Sequence, residues 1–157
     1  MVPLRATHAG RWVPSLEKTR TPSGAATTKV LASLAATLLK WEKAPDTEFF
    51  RSISWTHVHE LAPDATHDAN GADAPAHFVL DVTTPQGALS DRRRAELAKE
   101  MTEQVLEAAG LTPGDGLRVW VLMHEVDEGS WAAGGGIVRF EELREAAKAE
   151  RAYTPVS

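Results

Sequence analysis

The side chains best suited to chemistry in this chain are its histidines, because the sequence has no cysteine to supply a thiolate or a disulfide. His57 and His59 are two residues apart in a stretch of strand character, so they point to the same face of a sheet. Together with His8, or with His67 and His77, they could contribute to a metal site, although nothing in the spacing fixes the remaining ligands. Without a metal they are polar residues of a sheet face, and one of them could serve as an acid or base if it points into a pocket. Gly134-Gly135-Gly136 could cradle a phosphate, but no Gly-Lys-Ser/Thr follows and no helix opens directly on the glycines. A tight hairpin, or a backbone closely approached by another subunit, is the better reading. Arg92-Arg93-Arg94 reads as a solvated helix face rather than a binding patch.

The elements that must position these residues repeat. Trp55, His59 and Glu60 overlay Trp120, His124 and Glu125, in stretches 53–61 and 119–126 that each follow an apolar-periodic helix. Self-similarity of this kind marks a duplicated supersecondary unit, here strand–helix–strand. In the first copy, residues 3–9 are a short strand, and residues 10–23 are irregular and basic, with Arg11, Lys18 and Arg20. A helix then starts at Ser23-Gly24, carries Leu31, Leu34, Leu38 and Trp41 on one face, and is ended by Pro45. In the second copy His77–Val82 is a strand and Pro85-Gln86-Gly87 a turn. A helix capped by Ser90-Asp91 runs from Arg92 to Ala109, with Leu97, Met101, Val105 and Ala108 as its stripe, and Gly110 terminates it. The second strand starts at Leu117, the Gly-rich segment follows, and a short helix begins at Glu141. The expected layout is a single domain over 1–157. It divides into a first βαβ unit at 1–61, a linker at 62–75, a second unit with its hairpin at 76–143, and a tail or short helix at 144–157. Trp55 and Trp120 are expected in a core or interface, and Glu60 and Glu125 as structural partners at strand ends.

A chain of 157 residues, 43% hydrophobic and 25% charged, can bury a core and is too apolar for a disordered protein. A formal net charge of −5 disfavours nucleic acid and anionic membranes as partners. No apolar run reaches membrane-spanning length and the first residues lack a signal-peptide layout, so a cytoplasmic protein is expected.

Leu89-Ser90-Asp91, the helix 92–109, Arg118-Val119, Glu125 and Trp131-Ala132-Ala133-Gly134-Gly135 together give the second copy a family likeness. It resembles the tautomerase superfamily (4-oxalocrotonate tautomerase-like), and the chain as a whole is similar to its fused two-unit members. The resemblance implies an α+β fold in which two tandem βαβ units form a four-stranded sheet with two helices on one face. It also implies a homotrimer whose active sites lie near the N-termini, with neighbours contributing residues, and no cofactor or metal.

In that family an amino-terminal proline is the base or nucleophile. The start here is Met1-Val2-Pro3, which lacks the usual terminal proline. The resemblance leaves three readings: trimming exposes Pro3, the primary amine of Val2 does the chemistry, or the reaction is lost or replaced. A free α-amine titrates near ~7.7–8.0, and nearby cations or desolvation lower it toward the working pH. Arg118 matches the family's substrate-binding arginine and Trp131 its pocket aromatic. Leu89 stands where a loop arginine is common, and Arg11 could supply that charge. The implied function is keto–enol tautomerisation, or a related proton transfer or hydration, on small carboxylated molecules. The alternative is a catalytically inactive trimer of the same fold that serves as a scaffold or ligand-binding protein.

Overall fold

The computed structural model describes residues 4–9, 24–60, 67, 69, 75 and 77–153. Val2, Pro3, Arg11 and most of the 62–75 linker lie outside the described residues. Strand β1 (Leu4–Ala9) leads to helix α1 (Gly24–Glu42), a short α2 (Glu48–Ser52) and β2 (Thr56–Glu60). The second unit follows as β3 (His77–Pro85), α3 (Asp91–Ala108), a 3-10 helix (Pro113–Arg118) and β4 (Val119–Val126). A two-residue-strand hairpin, β5 (Ala132–Ala133) and β6 (Gly136–Ile137), precedes α4 (Phe140–Tyr153).

The main sheet has the order β2-β1-β3-β4. Each unit pairs its own strands in parallel, and the units meet where β1 and β3 run antiparallel, with Leu4 opposite Val82 and His8 opposite Phe78. The expected α+β architecture is therefore present, with its duplication written into the pairing. Alternation along β3 and β4 decides which face is buried. Leu80, Val82 and Val119 are turned to the helices, whereas Trp120, Leu122 and His124 stay exposed on the other side. Leu34 and Leu38 of α1 meet Leu97, Met101, Val105 and Leu106 of α3 over that inner face. A polar layer registers the two helices: Glu100 accepts from Lys40 Nζ at 2.7 Å and from Trp41 Nε1 at 2.8 Å, and Gln104 donates to Thr37 Oγ1 at 2.7 Å.

Several boundaries differ from the sequence expectation for physical reasons. Helix α1 ends at Glu42, before Pro45, because Lys43 turns to φ 59° and the Ala44 and Lys43 amides close on the Leu39 and Lys40 carbonyls. The same closure ends α3 at Gly110 (φ 65°), where Leu111 and Gly110 bond back to Leu106 and Glu107. Helix α2 has no counterpart in the expectation; Thr47 caps it by accepting from the Phe50 amide. The glycines form a hairpin turn with positive φ at Gly134 and Gly135, the backbone a two-residue loop with right-twisted strands favours. Among the described residues no helix is long and apolar enough to cross a membrane.

Candidate functional site

A cavity of about 440 Å3 opens where the end of α1, the β3–α3 loop and α4 converge. Its apolar wall includes Phe50, Pro85, Phe140 and Leu143. Five basic side chains line it: Lys43 after α1, Arg93 from the first turns of α3, and Arg144, Lys148 and Arg151 from α4. Among the described residues Glu42 is the one acidic side chain in the lining.

The loop that forms one wall is held from below. Gly87 takes φ 75° in the turn that the Ala88 amide closes on the Pro85 carbonyl, a conformation that suits glycine. Glu125 Oε1 accepts from the Gly87 amide at 3.0 Å and from Arg94 Nη2 at 2.7 Å. Thus Glu125 is a structural partner at a strand end, as its position suggested. Arg92-Arg93-Arg94 proves to be more than a solvated face: Arg94 ties α3 to β4, and Arg93 turns inward. Arg93 Nη1 donates to the Trp41 carbonyl at 2.9 Å, placing a cation at the negative end of α1. Its Nε donates to Ser90 Oγ at 3.4 Å, so both of these bonds go to neutral oxygens and leave its positive charge to the cavity. On α4, Arg144 and Lys148 pair with Glu141 and Glu145 one turn earlier, and Arg151 donates to the Lys43 carbonyl.

Glu42 is the unusual member. Its Oε1 is sealed from solvent without a hydrogen-bond partner. Burial pushes its pKa from 4.5 up to about 7, against the opposing pull of the amino terminus and, after it, of Arg93. Such a carboxyl exchanges its proton near neutral pH.

Arg118 and Trp131 do not line this cavity. Arg118 closes the 3-10 helix and pairs with Asp115 at 3.3 Å. It precedes Val119, which lies opposite Phe78, so the length of β3 separates it from Pro85, about 23 Å at 3.3 Å per residue. Trp131 is half-buried and packs on the cluster of Leu39, Phe50 and Ala147, just behind the cavity wall. Leu89 is a core residue, 3% exposed. His57 and His59 are exposed, and His124 approaches Asp81 at 3.4 Å. Among the described residues no group of three His, Cys, Asp or Glu side chains could hold a metal ion. Sequence reasoning missed Glu42, Arg93 and the cations of α4. The signal available for Glu42 was its place at the end of a helix, where the second unit has Ala109.

Residues 79–141 match the family described as "Tautomerase enzyme". No curated protein matches the chain. Among solved structures it is similar to a fused 4-OT described as a wild-type symmetric trimer, with 17% identity and a TM-score of 0.66 over 87% of this chain and 94% of that one. It is equally similar to N1, a member of the cis-3-chloroacrylic acid dehalogenase family, with 17% identity and TM-score 0.66 over 96% and 92%. Macrophage migration inhibitory factor from Oncomelania hupensis also shares the fold, with 12% identity and TM-score 0.64 over 97% and 92%. The sequence match falls on the second unit and the structural matches span both. The second unit thus matches the tautomerase family, and the chain as a whole shares the fold of these two-unit structures.

Proposed function

We propose that this protein carries out tautomerase-type proton transfer on small carboxylated keto or enol compounds bound in the basic cavity. The observation that carries the reading is the gathering of Lys43, Arg93, Arg144, Lys148 and Arg151 around one space in a chain of net charge −5. Cations hold a carboxylate through charge-assisted hydrogen bonds and stabilise the charge that develops on an enolate oxygen. The base in this reading is the amine of Val2 or, after trimming, of Pro3. Strand β1 starts at Leu4, opposite Val82, and Pro85 of the cavity wall lies three residues further along β3. Two residues before Leu4 span at most about 7 Å. Three strand residues span about 10 Å. The chain length thus allows that amine to work at the cavity edge, where the cations would lower its pKa.

The assembly in this reading is a homotrimer, supported by the relative described as a symmetric trimer and by the exposed apolar surface of Trp55, Trp120 and Leu122. In it Arg118 and Trp131 would serve a neighbour's site, with Arg11 adding charge near the amine. The test is saturation kinetics on a panel of enols and 2-oxo acids. Turnover above the buffer rate is expected, with KM raised roughly 10- to 100-fold by Arg93→Ala, the worth of one hydrogen bond to a charged group. Binding without turnover would favour the ligand-binding trimer instead, and neither binding nor turnover would remove the cavity from the account.

A further inference from the structure

The end of α1 and the end of α3 are equivalent points of the repeat. Both helices close with the same pair of backward amide bonds, which aligns Glu42 with Ala109, Lys43 with Gly110 and Ala44 with Leu111. At this position the second unit buries the methyl of Ala109, 7% exposed, and the fold needs nothing more there. The first unit instead places a carboxyl whose Oε1 is shut away from water and unpartnered, in the lining of the basic cavity. An unsatisfied buried polar atom costs on the order of 1–3 kcal/mol, a cost that the alanine of the second unit avoids.

We propose that Glu42 is the proton-donating residue of this cavity, hydrogen-bonding through its carboxyl to an oxygen of a small carboxylated molecule held by Arg93. The inference rests on the cavity being the carboxylate site, and it adds a role for a residue that the family resemblance does not supply. Among the described residues the charged and titratable groups around the carboxyl are Lys43 from the end of α1, Arg93 from α3, and Arg144, Lys148 and Arg151 from α4, and the charge of the amino terminus also acts on it; α2 and the β3–α3 loop contribute only Phe50, Pro85, Gly87 and Ala88. Lysine and arginine stay charged through neutrality. Glu42, raised to about 7, is the lining group among the described residues that changes charge there. An anion brought against it disfavours the carboxylate further, so binding takes up a proton from solvent and leaves the neutral acid facing the ligand. A neutral carboxyl can donate to a ligand oxygen, whereas a carboxylate would repel it.

The measurement is calorimetric titration of the full chain with 2-oxoglutarate at pH 7 and pH 8, in buffers of different ionisation heat. The wild type is expected to take up close to one proton per site at pH 8 and to lose affinity by up to about fivefold from pH 7 to 8. Glu42→Gln keeps a neutral donor and is expected to bind with that uptake and pH dependence removed. Equal uptake in wild type and Glu42→Gln would overturn the role of Glu42 while leaving the carboxylate cavity intact. Absence of binding in both would overturn this inference together with the cavity reading. Infrared difference spectra of the wild type alone give a second readout that requires no variant. Gain of a protonated-carboxyl band on adding 2-oxoglutarate at pH 8 supports the inference, and no gain contradicts it.

Discussion

At Lys43 the backbone holds φ 59° in a residue with a side chain, while the second unit uses Gly110 at the matching point. The left-handed conformation disfavours a Cβ by roughly 1–2 kcal/mol. Lys43→Gly is therefore expected to stabilise the fold by about 1 kcal/mol in denaturant unfolding and, by deleting a cavity cation, to weaken carboxylate binding. The neighbouring Glu42 makes stability depend on pH. Its folded pKa lies above the unfolded value of 4.5, so the folded state is favoured most when the group is neutral, below 4.5. That contribution is lost as pH rises from 4.5 through about 7, up to about 3 kcal/mol in all. Glu42→Gln should match the wild type in melting temperature near pH 4, exceed it increasingly toward pH 7, and hold the difference above. A constant difference across that range would contradict the buried carboxyl. Apart from the helix-end position of Glu42 opposite Ala109 in the repeat, nothing in the sequence marks either residue, since a glutamate and a lysine at a helix end usually face water. Arg93 was hidden for a related reason: three successive arginines fan around a helix, and only packing against the end of α1 decides which one turns inward.

The long elements were the most legible. Leu34, Leu38, Leu97, Met101 and Val105 recur at helical spacing, and all five are buried. Leu97→Ala, at a fully buried position, is expected to cost about 2–5 kcal/mol in chemical unfolding. Leu39 escaped the stripe because it faces a second cluster with Phe50 and Ala147, which belongs to α2 and α4 rather than to the sheet. Helix α2 itself is five residues, too short to show a period, and rests on the Thr47 cap and the buried Phe50. The repeated Trp-His-Glu pattern was legible as two equivalent strands, but the reason for the tryptophans was not. Each indole donates to a carbonyl three residues earlier, Trp55 to Ser52 at 2.9 Å and Trp120 to Leu117 at 3.0 Å. Each thereby satisfies an orphan carbonyl where a short helix gives way to an edge strand.

Across the whole molecule, the duplication gives two outer strands with an exposed tryptophan at the start of each, Trp55 just before β2 at 59% and Trp120 in β4 at 62%. Apolar rings left open at both edges suit a molecule that buries them against copies of itself. Light scattering should report three chains per particle, and Trp120→Asp should shift the distribution to smaller species. An unchanged mass in that variant would take Trp120 out of the interface. The family likeness could be read from the second unit, whereas the cavity could not. Its cations come from three elements distant in sequence, and of them only Arg93 lies in a segment that carries the resemblance. The central claim is that small carboxylated molecules bind there. Its most direct test follows backbone amide chemical shifts of the labelled protein as 2-oxoglutarate is added. The account predicts saturable shifts concentrated at residues 42–44, 85–93 and 140–151. Shifts centred on residues 115–118, or none that saturate, would contradict it.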